Sequence, residues 1–134
     1  MTGIIELTDT ALYNKLNVTN VTNLALGGIW SMIAPSNAPL PFVIFQWQGG
    51  GDENMTPSRL RNVVYVVKAV AYSKNTATDI DEQIDTALHN QSLTVTGYTN
   101  FWCAREDDVA FHEIGTDGRA VYHIGAVYRI RFGQ

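Results

Sequence analysis

The sequence predicts an α+β domain, with a mixed or antiparallel β-sheet, two helices packed on one face and a C-terminal β-hairpin. Three observations carry this expectation. Apolar residues recur at helical spacing in two separate segments, residues 4–16 and 77–88. Between them lie apolar, β-branched runs bounded by Gly and Pro. The last third alternates with a period of two around Asp117-Gly118. A chain of 134 residues is long enough to bury a core of its own, so residues 1–134 read as one domain.

The first helix is expected over Ile4 to Leu16, where Ile4, Leu7, Ala11, Leu12 and Leu16 share a stripe. Thr2 or Thr8 offers a cap, and Asn17 with Asn20 offers an end. Residues 17–23 are polar and β-branched and read as a connector. Ile29 to Ile33 lies between Gly27-Gly28 and Ala34-Pro35 and reads as a strand. Pro39 and Pro41 frame a second strand, Phe42 to Trp47, which Gly49-Gly50-Gly51-Asp52 ends. Residues Gln48 to Ser58 show no periodicity and read as a mobile loop.

Arg59 to Tyr72 is the strongest strand signal. Val63, Tyr65, Val67, Ala69 and Ala71 fall on one face, and Val64, Val66, Val70 and Tyr72 on the other, with Lys68 as the interruption. A strand apolar on both faces is central in its sheet, or is covered on its second side by another subunit. After Ser73, the stripe Ala77, Ile80, Ile84, Ala87 and Leu88 marks the second helix, capped by Asn75 or Thr76. Asp79, Asp81, Glu82 and Asp85 fill its remaining surface and read as a solvated face near the positive end of the dipole.

Four strand segments follow: Leu93 to Thr96, Tyr98 to Glu106, Val109 to Ile114 and Ala120 to Phe132. Asp117-Gly118 suits a two-residue type I′ turn, which pairs residue 116 with 119. That register sets Phe111 opposite Ile124, Val109 opposite Ala126 and His112 opposite His123. One face then carries Tyr122, Tyr128, Ile130 and Phe132. The other carries His112, His123, Arg129 and Arg131.

Composition excludes several functions. The net charge is −4 with 9 Lys and Arg, scattered along the chain, so tight non-specific nucleic-acid binding is not expected. The N-terminal residues lack the charged and apolar regions of a signal peptide. No apolar run is long enough for a membrane span. One cysteine, Cys103, cannot form an internal disulfide.

No catalytic constellation emerges. His112 with His123 offers a metal two ligands, whereas zinc takes four in structural sites and three plus water in catalytic ones. Cys103, between Phe101-Trp102 and Ala104-Arg105, matches no nucleophile motif and reads as a small buried hydrophobe. Gly49-Gly50-Gly51 lacks the lysine and spacing of a phosphate loop. The sequence therefore predicts no cofactor, no metal and no enzyme. What remains is apolar strand surface in excess of what two helices cover, the mark of an oligomer. The expected subunit interface comprises Gln48, Gly49, Gly50, Gly51, Asp52 and Glu53 of the loop, with Val64, Val66 and Val70 of the long strand.

Several features stand in the order found in one family. Gly28-Ile29-Trp30 leads to Ala34-Pro35, then Pro39-Leu-Pro-Phe42-Val-Ile-Phe-Gln46. The strand Val63 to Tyr72 then runs into the helix Thr78 to Leu88. Over Leu7 to Phe132 the chain resembles the tail terminator, or tail-completion, proteins of long-tailed bacteriophages. The resemblance implies an α+β virion protein, assembled in the host cytoplasm, that forms a ring of typically six subunits on the finished tail tube. Its implied partners are copies of itself, the tail tube protein and the head–tail connector. DNA would only pass through the lumen, and no membrane is involved. Two other readings remain: a head-completion ring of the connector, and a small metal- or ligand-binding enzyme built on His112, His123 and Cys103.

Overall fold

The structure, a computed structural model, describes residues 3–52 and 60–133. The chain begins with helix α1 (Ile4–Leu16), which buries Thr8, Ala11, Leu12 and Leu16. The residue before it is Gly3, so no side chain caps this end. Thr8 lies inside the helix instead, with its hydroxyl donating to the Ile4 carbonyl at 2.7 Å. The expected connector holds a single helical turn, α2 (Thr19–Thr22), that seats Val21 in the core.

Strands β1 (Ile29–Ser31), β2 (Phe42–Asp52) and β3 (Leu60–Ala71) precede helix α3 (Lys74–Leu88). Ser73, ahead of the predicted capping residues, caps α3, and its hydroxyl oxygen accepts from the Thr76 amide. Strands β4 (Thr99–Ile114) and β5 (Ala120–Gly133) close the chain. Among the described residues, these form one five-stranded sheet in the order β1-β2-β3-β5-β4. Only β1 and β2 run parallel; the other pairs are antiparallel.

The predicted α+β class, the mixed sheet and the C-terminal hairpin are all present, and β3 is central. Within the sheet, β1 stops at Ser31, short of the expected Ile33, and further details differ from expectation. First, Gln48 to Asp52 are strand: a bulge between Trp47 and Gly49 lets β2 continue past its apolar run. Glu53 to Ser58, the rest of the predicted loop, lie outside the described residues. Second, Leu93 to Thr96 form only an isolated bridge, Val95 with Tyr98. Third, Asp107-Asp108 does not end a strand. A bulge between Arg105 and Asp107 absorbs the break, so the two predicted strands are one.

Fourth, the hairpin register is shifted by one residue. Gly118 donates to the Gly115 carbonyl at 3.0 Å, and Gly115 donates to the Arg119 carbonyl at 2.9 Å. The loop is therefore a one-residue-longer turn with Gly118 at φ +81°, where L side chains are strained. Phe111 then pairs with His123, and His112 with Tyr122. One step of register moves every side chain of β4 to the other face. His112 and His123 consequently lie on opposite faces, and the expected pair does not exist.

The core lies between the helices and one sheet face. Ile80, Ile84 and Leu88 of α3, with Leu12 and Leu16 of α1, pack on Val43, Phe45, Val63, Tyr65, Val67, Tyr128, Ile130 and Phe132. Each of these aliphatic side chains is worth about 2–5 kcal/mol against truncation to Ala. Cys103 belongs to this cluster and is fully buried.

Candidate assembly surface

Two polar clasps hold the helices to the sheet. The Tyr65 hydroxyl donates to Asp9 of α1, and Ser31 donates to the second oxygen of the same carboxylate at 2.8 Å. Burial, then the Asp9 carboxylate, raises the Tyr65 pKa, so the phenol stays a donor. At the other end, Arg105 reaches from the β4 bulge to α3. Its two terminal nitrogens meet the two Asp81 oxygens at 3.1 and 3.0 Å. Its Nε donates to Asp108 at 2.9 Å, and Tyr128 donates to Asp85 at 3.2 Å.

This second clasp corrects the reading of the α3 acids as a uniformly solvated face. Asp79 and Glu82 are exposed, but Asp81 is 8% exposed and ion-paired. Asp81 and Asp85 stand one turn apart and so on one side of the helix, which is a sequence signal. Their partner, 24 residues away from Asp81, is set by the bulge and has no local signature.

None of the residues in the core cluster lies on the opposite sheet face. That open face can be read row by row across the strands. At one end Gly51, Asn62, Arg131 and Trp102 lie in line, followed by Gly49, Val64, Arg129 and Ala104. The middle rows are Gln46, Val66, Val127 and Asp107, then Trp30, Ile44, Lys68, Gly125 and Val109. Phe42, Val70, His123 and Phe111 complete the apolar part. Four strands about 4.8 Å apart over five rows about 7 Å apart, with Trp30 added from β1, give a footprint of roughly 700 Å², close to one partner's share of a standard interface.

The predicted interface residues Val64, Val66 and Val70 all project from this face. Val66 and Val70 are buried by their neighbours within the sheet surface, at 8% and 3% exposure, while Val64 is half-buried. Gly49 and Gly51 join the same face at the β2 end, whereas Gly50 pairs with Val63 and so falls on the core face. Glu53 lies outside the described residues.

Polar groups on the open face are held by local partners. The Phe111 ring stacks on His123, and Lys68 Nζ sits 4.9 Å from the Phe111 centroid. Burial lowers the Lys68 pKa, with Glu113 pulling the other way. His123 Nε2 lies 2.8 Å from Glu113, while its Nδ1 is buried with no hydrogen-bond partner among the described residues. Arg129 pairs with Glu106 and donates to Asn62 at 2.8 Å. Among the described residues, no three His, Cys, Asp or Glu side chains converge as a metal site.

A family model described as "Tail completion protein gp17" matches residues 10–132. The chain belongs to this tail-completion family. It is thus a bacteriophage structural protein of the virion tail, as the sequence resemblance implied. A search of curated proteins gives no significant match. Among solved structures, the chain is similar to one in a "Virion of native gene transfer agent (GTA) particle". The TM-score is 0.78 and the identity 14%, over 99% of this chain and 100% of that one. At that identity the likeness speaks for the fold alone. No described helix is long and apolar enough to cross a membrane.

Proposed function

We propose that this tail-completion protein forms a ring, of six subunits in the simplest case, that ends the tail tube and joins it to the head connector. The observation that carries the proposal is the open sheet face. Its apolar side chains gather around Val66, Val70 and Val127 beside Lys68, its footprint is close to one side of a stable interface, and the chain's own helices leave it bare. Family membership supplies the setting in which such a face finds partners.

In this account part of the open face, including Val64, Val66 and Val70, is buried between neighbouring subunits. The remaining contacts go to the tube protein on one side and the connector on the other. The lumen carries DNA without holding it, because a net charge of −4 per subunit repels phosphate. The chain needs no cofactor and performs no catalysis.

The test is complementation of tails made without this chain. Electron microscopy should show unjoined heads and tubes in its absence. Added protein should restore joined particles with a ring density at the tube end. Rings that appear on isolated heads but never on tails would assign the chain to the head side and overturn the proposal.

A further inference from the structure

We propose that the free half of strand β4 pairs, antiparallel, with the free glycine edge of β2 in the next subunit of the ring. This rests on the ring reading above and names the surfaces that close it.

β4 is an edge strand, and its two halves differ. The first half is covered: Asn90 donates to the Cys103 carbonyl at 2.8 Å, and the Arg105 amide donates to His89 Nδ1 at 3.1 Å. Beyond the bulge, Asp108 to Ile114 have no such cover among the described residues. Gly115 bonds inward to Arg119, so by alternation the outward amides are those of Asp108, Ala110, His112 and Ile114. This half is also apolar, with Phe111 48% and Ile114 65% exposed. A long, apolar, unpaired edge is an association site unless something covers it.

The complementary edge is on the far side of the same sheet. β1 pairs with β2 only over Val43 to Phe45. Past the bulge, β2 continues through Gly49, Gly50 and Gly51 with no further strand beside it among the described residues. Gly50 is required by the chain's own fold, since its φ is +119° and a Cβ would meet the Asn62 carbonyl. Gly49 and Gly51 are not: a Cβ at either would meet nothing within 4 Å. Glycine inside a strand with no internal reason marks the close approach of another backbone or side chain.

Direction and register agree. β2 and β4 run opposite ways within one sheet. Rotation about a ring axis preserves direction along that axis, so β4 of one subunit meets β2 of the next antiparallel. With Ala110 opposite Gly50, outward groups meet outward groups. Phe111 then falls opposite Gly49 and Val109 opposite Gly51, all on the open-face side. The exposed Phe111 ring covers the bare glycine and reaches Val64, an aromatic filling the gap that glycine leaves across a strand pair.

Two variants read this directly on assembled tails. Phe111 and Gly49 would form a non-hydrogen-bonded pair, with Cα atoms about 4.5 Å apart, within disulfide range. Chain carrying Phe111→Cys with Gly49→Cys, oxidised on tails, should run as a ladder of covalent multimers, and either single variant should not. Native Cys103 is buried and stays silent. Ala110→Pro removes an outward amide only, so it should melt close to wild type yet reduce ring occupancy at least tenfold. Rings that form without cross-links, and tolerate Ala110→Pro, would overturn this pairing and leave the ring standing. Absence of rings on wild-type tails would instead remove the ring reading, and this inference with it.

Discussion

The Phe111 and His123 rings stack with centroids 4.5 Å apart and planes 9° from parallel. This contact exists because the loop after Ile114 is one residue longer than a two-residue turn. The Gly118 conformation at φ +81° holds it there. Gly118→Ala should cost about 1 kcal/mol, since an L residue resists the left-handed region. Through-space NMR contacts should join the Phe111 ring to His123 and to Lys68. Contacts from Phe111 to Ile124 in their place would restore the shorter turn and refute the register.

The Arg105 clasp is expected to matter for the monomer and not for assembly. Arg105→Leu leaves Asp81 buried without its partner, which should lower stability by about 2–3 kcal/mol in urea unfolding. Arg105→Leu with Asp81→Leu should recover much of that loss, because neither charge is left alone. Equal loss in the single and double variants would show that the clasp acts through packing.

Cys103 should be inert in the folded chain. Burial pushes its thiol up from its ordinary value of 9.0 to about 12, with Lys15 opposing. Alkylation at pH 8 should therefore follow the unfolding rate. The sign of the pH effect follows from the direction of the shift. The unfolded thiol ionises first as pH rises past about 9, so stability from this group falls between there and about 12. Rapid alkylation of the native protein at pH 8 would contradict its burial.

The sequence exposes what period and punctuation encode. Leu12, Leu16, Ile80, Ile84 and Leu88 declare their helices, and the two faces of β3 separate residue by residue as expected. Two kinds of feature were illegible. Bulges at Trp47/Gly49 and Arg105/Asp107 let strands run through segments whose composition reads as a break, because pairing with β3 and β5 outweighs the poor strand propensity of Gly and Asp. Turn length was the other. Asp117-Gly118 fits both a two-residue turn and the longer loop, and one residue of difference dissolves the His112–His123 pair. Face alternation was legible: Val64, Val66 and Val70 project from the side of β3 away from the helices, where alternation places them. Gly49 to Gly51 are part of a strand edge, which nothing in a glycine run announces.

In the proposed ring the two faces of β3 serve different ends, one the core and one assembly. Adjacent residues separate them. Val67 is fully buried under the helices, and Val66 lies on the open face. A carboxylate placed under the helices costs several kcal/mol without a partner, whereas at Val66, buried only by its neighbours on a sheet face with no helix over it, small side-chain shifts reopen it to water and it costs less. The decisive measurement pairs thermal unfolding of the isolated subunit with counts of joined particles for Val66→Asp and Val67→Asp. Val67→Asp should unfold the subunit, while Val66→Asp should stay folded and fail to form rings or join tails. Equal unfolding of both isolated variants, or normal joining by Val66→Asp, would contradict it.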